Sequence, residues 1–206
     1  MDARVNNRHS KLQTRPLPLP LIVGIATLSL TAFGQSPSAA NSSTAASKSL
    51  LPGNVVVPKS VVNRFFPEVT REDSTGQNLT AVGNPKATRS VVYANSDSSK
   101  KVTITVDQYQ TASDAVSAYQ EAVAKSKSVP GFKPITAENL GEHAFVGTVT
   151  QGGETHIGLG ALHGTLIVGV TLAGYDPAPD KIANLISLTR EEESAAKATL
   201  DAKSKE

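Results

Sequence analysis

From Pro58 to Arg190 the apolar residues follow two spacings, and the switches between them mark the elements. Val61, Val62, Phe65 and Phe66 fall at helical spacing, predicting a two-turn helix that Pro58 opens and Pro67 stops. Residues 68–89, rich in Gly, Asn, Thr and Asp, predict an irregular connection. Ser90–Ala94 then reads as a strand and Asn95–Lys100 as a turn. Val102–Tyr109 alternates, with Val102, Ile104 and Val106 on one face, so the two strands form a hairpin with one buried side. Thr111 and Asp114 offer caps for a helix over roughly 113–127, whose stripe joins Val116, Tyr119 and Val123 to Ala115, Ala118 and Ala122. Pro130-Gly131 breaks it, and Phe132 to Leu140 is read as a connection. Three strands follow at 143–150, 154–162 and 165–173, joined through Gln151-Gly-Gly and His163-Gly, turns short enough to make all three antiparallel neighbours. Asp180 caps a third helix carrying Ile182, Leu185, Ile186 and Thr189. Past Arg190 only Leu200 is large and apolar, so 191–206 reads as a solvated helical tail. The order αββαβββα predicts an α+β domain over 50–190: an antiparallel sheet of about five strands with helices packed mainly on one face.

Ahead of the domain the pattern is of another kind. Residues 1–16 are polar and basic, Leu17–Pro20 alternates Leu with Pro, and Leu21–Phe33 is an unbroken apolar run. This is the layout of a secretory signal peptide, with cleavage expected after Gly34 or, as second choice, after Ala40. The run is short for a bilayer span, and an uncleaved signal anchor is the alternative. Either way the remainder is expected outside the cytoplasm: periplasmic, in the cell envelope or secreted. Residues 35–49 are rich in Ser and Ala and read as a flexible linker.

Composition narrows the chemistry. The chain of 206 residues has no Cys, which removes disulfides, thiolate metal sites, thiol nucleophiles and an acylated lipobox from consideration. Arg4, Arg8, Lys11 and Arg15 all lie in the signal segment against only Asp2, so without residues 1–34 the formal net charge of +2 turns slightly acidic. A nucleic-acid partner therefore has no electrostatic support. No G-x-S-x-G elbow, P-loop, H-E-x-x-H or G-x-G-x-x-G motif is present. Asn41-Ser-Ser and Asn78-Leu-Thr match the glycosylation triplet, which bears only on a eukaryotic secretory pathway.

Several short segments together resemble small bacterial extracytoplasmic sensor-like domains, the group that includes the sensors of actinobacterial serine/threonine kinases and the LpqN-type envelope lipoproteins. They are Leu50-Leu51-Pro52, the strand-then-helix unit from Val102 through Ala115, Val116 and Tyr119, Leu140-Gly-Glu-His143-Ala144, and Gly164–Leu172. The resemblance covers about 50–190 and implies an envelope-located ligand- or partner-binding module. It transfers no catalytic residue, and this chain departs from the group in lacking the lipidation cysteine and the stapling cysteines.

Glu142, His143, Glu154, His156 and His163 lie close in sequence and combine imidazole with carboxylate. Their spacing matches no metal motif and alternation splits their facing: His143 goes with Phe145 and Val149, His156 with Gly158 and Gly160. We therefore expect no metal and no cofactor, with His143, His156 and His163 the weak candidates. Glycine weakens a strand interior and marks close approach of a helix, a ligand or a bend. Gly147, Gly158, Gly160 and Gly169 all fall inside predicted strands. The face shared by His156, Gly158 and Gly160 is the expected binding place, unless a helix packs over the glycines. Tyr109 and Tyr175, scarce aromatics near strand ends, are further candidates for gripping a ligand, and Tyr93 is of the same kind. The function read here is a non-catalytic binding domain for an envelope protein or small ligand, with membrane contact only through an uncleaved N-terminal segment. The alternatives are a small envelope hydrolase or metal-dependent enzyme built on the His/Glu cluster, and an assembly subunit docking through an unpaired edge strand at Ser90–Ala94.

Overall fold

A computed structural model describes residues 49–136 and 143–203. The signal segment, the linker up to Lys48 and Glu142 lie outside the described residues, and Ser49, given above to the linker, opens the first strand. The elements are β1 (Ser49–Leu50), a 3-10 turn (Gly53–Val55), α1 (Lys59–Phe65), β2 (Arg71–Gly76), β3 (Ala87–Ala94), β4 (Lys101–Gln108), α2 (Ala112–Ser128), β5 (Lys133–Ile135), β6 (Ala144–Gln151), β7 (Glu154–His163), β8 (Leu166–Ala173) and α3 (Pro179–Lys203).

The domain is α+β, with one sheet of eight strands rather than five. Its path is β1-β3-β4-β8-β7-β6-β5, and β2 also pairs β3. All pairings are antiparallel except the short parallel contact of β1 with β3. The three extra strands carry little pattern: β1 has two residues, β5 has three, and β2 reads Arg-Glu-Asp-Ser-Thr-Gly. They exist because an edge must be paired or blunted. β2 and β1 share the outer edge of β3, so Ser90–Ala94 is an interior strand and supplies no docking edge.

Alternation divides the sheet into two unequal faces. Val102, Ile104 and Val106 of β4, Val168, Val170 and Leu172 of β8, and Ile157, Leu159 and Ala161 of β7 all point into the main core. Over them lie Val55 of the 3-10 turn, Val62 of α1 with Phe66 just beyond it, and Leu185, Leu188 and Ala196 of α3. Burial of these residues is the main source of stability. Helix α2 takes the opposite face, where Ala115 and Ala118 meet Tyr109, Leu162 and Ile167 in a separate small cluster. Helices α1 and α3 thus cover the main face, and α2 alone lies on the other. The reason is connectivity: α2 carries the chain from β4 across β8, β7 and β6 to β5 at the far edge, and α1 and α3 already occupy the main side.

Helix α2 begins where Thr111 Oγ1 accepts from the Asp114 N–H at 3.1 Å and donates to the Asp114 carboxylate at 2.8 Å. Its inward stripe is Ala115, Ala118 and Ser126. Val116, assigned above to the stripe, lies a third of a turn away and is 36% exposed. Helix α3 runs on past Arg190 to Lys203, and this stretch is not solvated all round. Glu192 and Ala196 are fully buried, and Thr199 Oγ1 donates to the Asn54 carbonyl at 3.0 Å.

The loop 77–86 is pinned on the α2 side of the sheet. The Asn78 side-chain amide donates to both oxygens of the buried Asp107 carboxylate, at 3.0 and 2.8 Å, while the Asn78 N–H donates to Thr88 Oγ1 at 3.1 Å. The amide of the Asn78-Leu-Thr triplet is therefore engaged in a buried contact, and the folded domain does not present it for glycosylation. Asn78→Ala removes two charge-assisted bonds to a buried carboxylate and is expected to cost about 2–3 kcal/mol, read as a lower urea midpoint at unchanged slope.

Candidate functional site

Antiparallel register sets residues side by side across the α2 face. Ser90 pairs with Thr105, Thr105 with Gly169, Gly169 with Gly160 and Gly160 with Phe145. These five residues form one row crossing five strands, roughly 19 Å at the usual strand spacing. All five are half-buried. Four of the five have small or absent side chains, so the row is a shallow trough.

Its borders differ. On one side Ile167 and Leu162 sit under α2. On the other, Thr103, Thr171, Gly158 and Gly147 form the next row, with Lys101, Ala173, His156 and Val149 beyond it. At the β6 end the Phe132 and Phe145 rings stack, centroids 5.3 Å apart and planes 16° apart, with Lys127 Nζ 5.9 Å from the Phe145 ring.

The glycines of this face have different causes. A Cβ on Gly147 would collide with the Phe132 ring at 2.3 Å, and one on Gly169 would meet Thr105 Oγ1 at 2.5 Å, so these two admit neighbouring side chains. A Cβ on Gly160 would meet nothing within 4 Å among the described residues. No helix among them packs on Gly160, and the close-packing account given above does not hold there. Gly158 is buried in the adjacent row.

His156 shares this face and is 6% exposed. Burial pushes its pKa below the ordinary value, and the Glu154 carboxylate only partly opposes this, so the ring is neutral at physiological pH. Nε2 lies 3.8 Å from Glu154 Oε2, while the buried Nδ1 has no hydrogen-bond partner among the described residues. The negative charge beside Nε2 favours the tautomer protonated there, leaving Nδ1 as an acceptor.

The other expected residues are not brought to the trough. Tyr109 is buried in the small cluster under α2, and its hydroxyl donates to the Val82 carbonyl at 2.6 Å. Tyr175 belongs to the main core, edge-on to Phe66 with centroids 5.4 Å apart and with Lys100 Nζ 5.3 Å from its ring. Burial raises the pKa of both hydroxyls. Tyr93 donates to the Val57 carbonyl at 2.7 Å. All three are packing residues.

The histidines are likewise dispersed. His143 is exposed at the start of β6, its ring 6.4 Å from that of Tyr119 on α2. His163 is exposed at the end of β7, across the sheet from His156, where it partly opposes the rise that burial imposes on the pKa of Glu193 on α3. The separate facing expected for His156 and the Phe145/Val149 pair is corrected by the register, which puts His156 opposite Val149 and Gly160 opposite Phe145. Among the described residues no three His, Asp or Glu converge on a point that would hold a metal ion.

Ser90, Thr105, Gly169, Phe132 and Phe145 were not singled out from sequence as ligand-facing. The β7–β8 turn at His163-Gly already implies that Gly160 opposes Gly169. The pairing of β4 with β8, which brings Thr105 beside them, joins segments too far apart for local pattern to reveal.

No protein-family model matches the chain, and no curated protein matches it in sequence. Among solved structures, LpqN, involved in cell envelope biogenesis of Mycobacterium tuberculosis, aligns at a TM-score of 0.31 and 16% identity over 59% of this chain and 76% of that one, too distant to carry an argument. The extracellular domain of PknH from Mycobacterium tuberculosis aligns at a TM-score of 0.52 and 13% identity, covering 68% of this chain and 93% of that domain. The resemblance read from short apolar segments is thus matched in three dimensions: the described part of this chain shares its fold with that extracellular domain.

Proposed function

We propose that this chain is an exported cell-envelope protein whose domain recognises a ligand or protein partner without catalysis, at the trough beside α2. The observation that carries this reading is the open floor at Gly160, set in a row of small residues on a face that α2 covers only along one border. The N-terminal signal-like segment and the fold shared with an extracellular domain support the location. No helix among the described residues is long and apolar enough to cross a membrane. Among the described residues His143, His156 and His163 do not converge, which favours recognition over the hydrolase or metal-enzyme alternative.

Gly160→Val tests the site without threatening the fold. Its backbone is not in the left-handed region and its Cβ has free space, so a β-branched residue suits the strand and is expected to leave stability unchanged or raise it by about 0.5–1 kcal/mol. Wild-type and variant chains are to be compared by thermal shift against envelope glycan fragments, peptides and lipids. A compound at 100 times its dissociation constant adds about 2.7 kcal/mol to the form that binds it. The reading requires at least one compound that stabilises the wild type and not Gly160→Val. Equal shifts in both chains for every binder contradict it.

A further inference from the structure

We propose that the segment 53–57 and the part of α3 beyond Arg190 form a latch, held shut by the uncharged carboxyl of Glu192 and released, with the sheet still folded, when that carboxyl ionises. The device lies on the face opposite the trough and is independent of binding there. Segment 53–57 is fixed at both ends. Before it the Leu51 N–H donates to the Thr88 carbonyl and Arg89 Nε to the Leu51 carbonyl, and after it Pro58 leads into α1. Between these points it adds no rung to the sheet, and its one regular element is the 3-10 turn. Its ties are side-chain bonds instead. The Val57 N–H donates to Glu192 Oε2 at 2.8 Å, the Tyr93 hydroxyl to the Val57 carbonyl at 2.7 Å and Thr199 Oγ1 to the Asn54 carbonyl at 3.0 Å. The bonds to Glu192 and Thr199 make the segment and the end of α3 hold each other. Lifting them breaks no strand pairing, while the first half of α3 keeps Leu185 and Leu188 in the core and Asn184 Nδ2 on the Phe65 carbonyl at 2.9 Å.

The closed latch tolerates a neutral carboxyl far better than a carboxylate. Glu192 is fully buried, Oε2 accepts the Val57 N–H, and Oε1 has no hydrogen-bond partner among the described residues. A buried carboxylate needs further donors or a cation, and the elements packed around it direct theirs elsewhere. The 3-10 turn and β8 carry no charged residue. On α1, Lys59 Nζ donates to the Thr70 carbonyl at 2.7 Å and Arg64 pairs with Glu191 at 3.4 Å. On β3, Arg89 donates to the Leu51 carbonyl and to Thr75 Oγ1, and Tyr93 gives its proton to Val57 while the charge of Glu72, of the same sign as a Glu192 carboxylate, acts on its hydroxyl. On β7, Glu154 and His156 belong to the α2 face, and His163 acts on Glu193, as does Arg190 of α3 itself. Lys197, further along α3, is exposed. Burial is the largest influence on Glu192 and pushes its pKa up to about 8, opposed by the Val57 bond. In the opened latch water reaches the carboxyl and its pKa returns towards the ordinary 4.5. Between those values each pH unit multiplies the opening equilibrium by about ten.

The chain has no Cys, so Val55→Cys gives it a single thiol at a fully buried position in the latch, and Val170→Cys does the same in β8. Each is made in the full chain with and without Glu192→Gln, and folding is checked by thermal melting. Reaction with a thiol reagent is followed from pH 6 to pH 9, relative to free cysteine at the same pH. The latch requires that Val55→Cys react at least about tenfold faster than Val170→Cys at pH 9. Its relative rate should rise at least about tenfold from pH 6, and Glu192→Gln should remove that rise. Equal rates at the two positions would mean that the whole domain opens, which overturns the latch. A rise that survives Glu192→Gln, or a rate at Val55→Cys that pH leaves unchanged, overturns it too. If a cysteine variant fails to fold, hydrogen exchange of the Val57 and Val170 amides in the wild-type and Glu192→Gln chains supplies the same comparison.

Discussion

Replacing Glu192 by glutamine is expected to flatten the pH dependence of folding stability between about pH 5 and pH 8. Glu192 is fully buried on the inner side of α3, where Oε2 accepts from the Val57 N–H at 2.8 Å and Oε1 has no hydrogen-bond partner among the described residues. Desolvation pushes its pKa from the ordinary 4.5 up to about 8, with the Val57 bond opposing the rise. The folded chain therefore holds a proton that the unfolded chain has released over this interval. Below about pH 4.5 both states are protonated and Glu192 costs nothing in ionisation. As pH rises towards 8 the unfolded state is progressively favoured, and stability falls by an amount on the order of 4–5 kcal/mol. Glutamine keeps an acceptor for Val57 and cannot ionise. The variant should match the wild type near pH 5 and exceed it by several kcal/mol near pH 9. Urea unfolding across this range checks it, and parallel pH profiles for the two chains contradict the burial of an ionisable carboxyl there.

Gly174→Ala is expected to be the most damaging of the small substitutions. Gly174 ends β8 with φ of 76°, in the left-handed region that penalises a side chain, and an added Cβ would lie 1.9 Å from the Ser99 carbonyl oxygen. That carbonyl is not free to retreat. The turn holding it is braced by Ser99 N–H to Asp97 Oδ1 and by Lys100 N–H to Asn95 Oδ1, each at 3.0 Å. Dihedral strain and backbone overlap add to about 2–4 kcal/mol, a fall in melting temperature of roughly 5–15 °C. Gly160→Ala, placed where a Cβ meets nothing, is the control and should leave the midpoint almost unmoved. Equal losses in the two variants would contradict the distinction drawn between a structural glycine and one that keeps a floor open.

The sequence made the hairpins and helices legible because each has its own period, and the structure differs where period was missing or averaged. β2 is a run of polar residues, and it is a strand only because β3 needs an edge partner. The Glu191-Glu192-Glu193 run reads as a solvated face, yet three consecutive helical residues point in three directions. Glu191 reaches Arg64 at 3.4 Å, Glu192 turns into the core and Glu193 is half-buried, its pKa raised by burial and lowered by the nearby charge of His163. Of the candidate site, His156, Gly158 and Gly160 were legible as one face from alternation alone. Tyr109 and Tyr175 were drawn in by residue type, and their rings are committed to packing. The trough depends on β4 lying beside β8, a pairing between segments separated by α2 and three further strands.

The location of binding is tested most directly by backbone chemical-shift mapping of the isotopically labelled full chain as a compound that stabilises the wild type in the thermal-shift comparison is added. The account expects the largest perturbations at Ser90, Thr105, Gly169, Gly160 and Phe145, and none around Leu185 and Leu188 on the opposite face. Perturbations centred on the α1–α3 side, or scattered over the hairpin turns while the row from Ser90 to Phe145 stays silent, would contradict it.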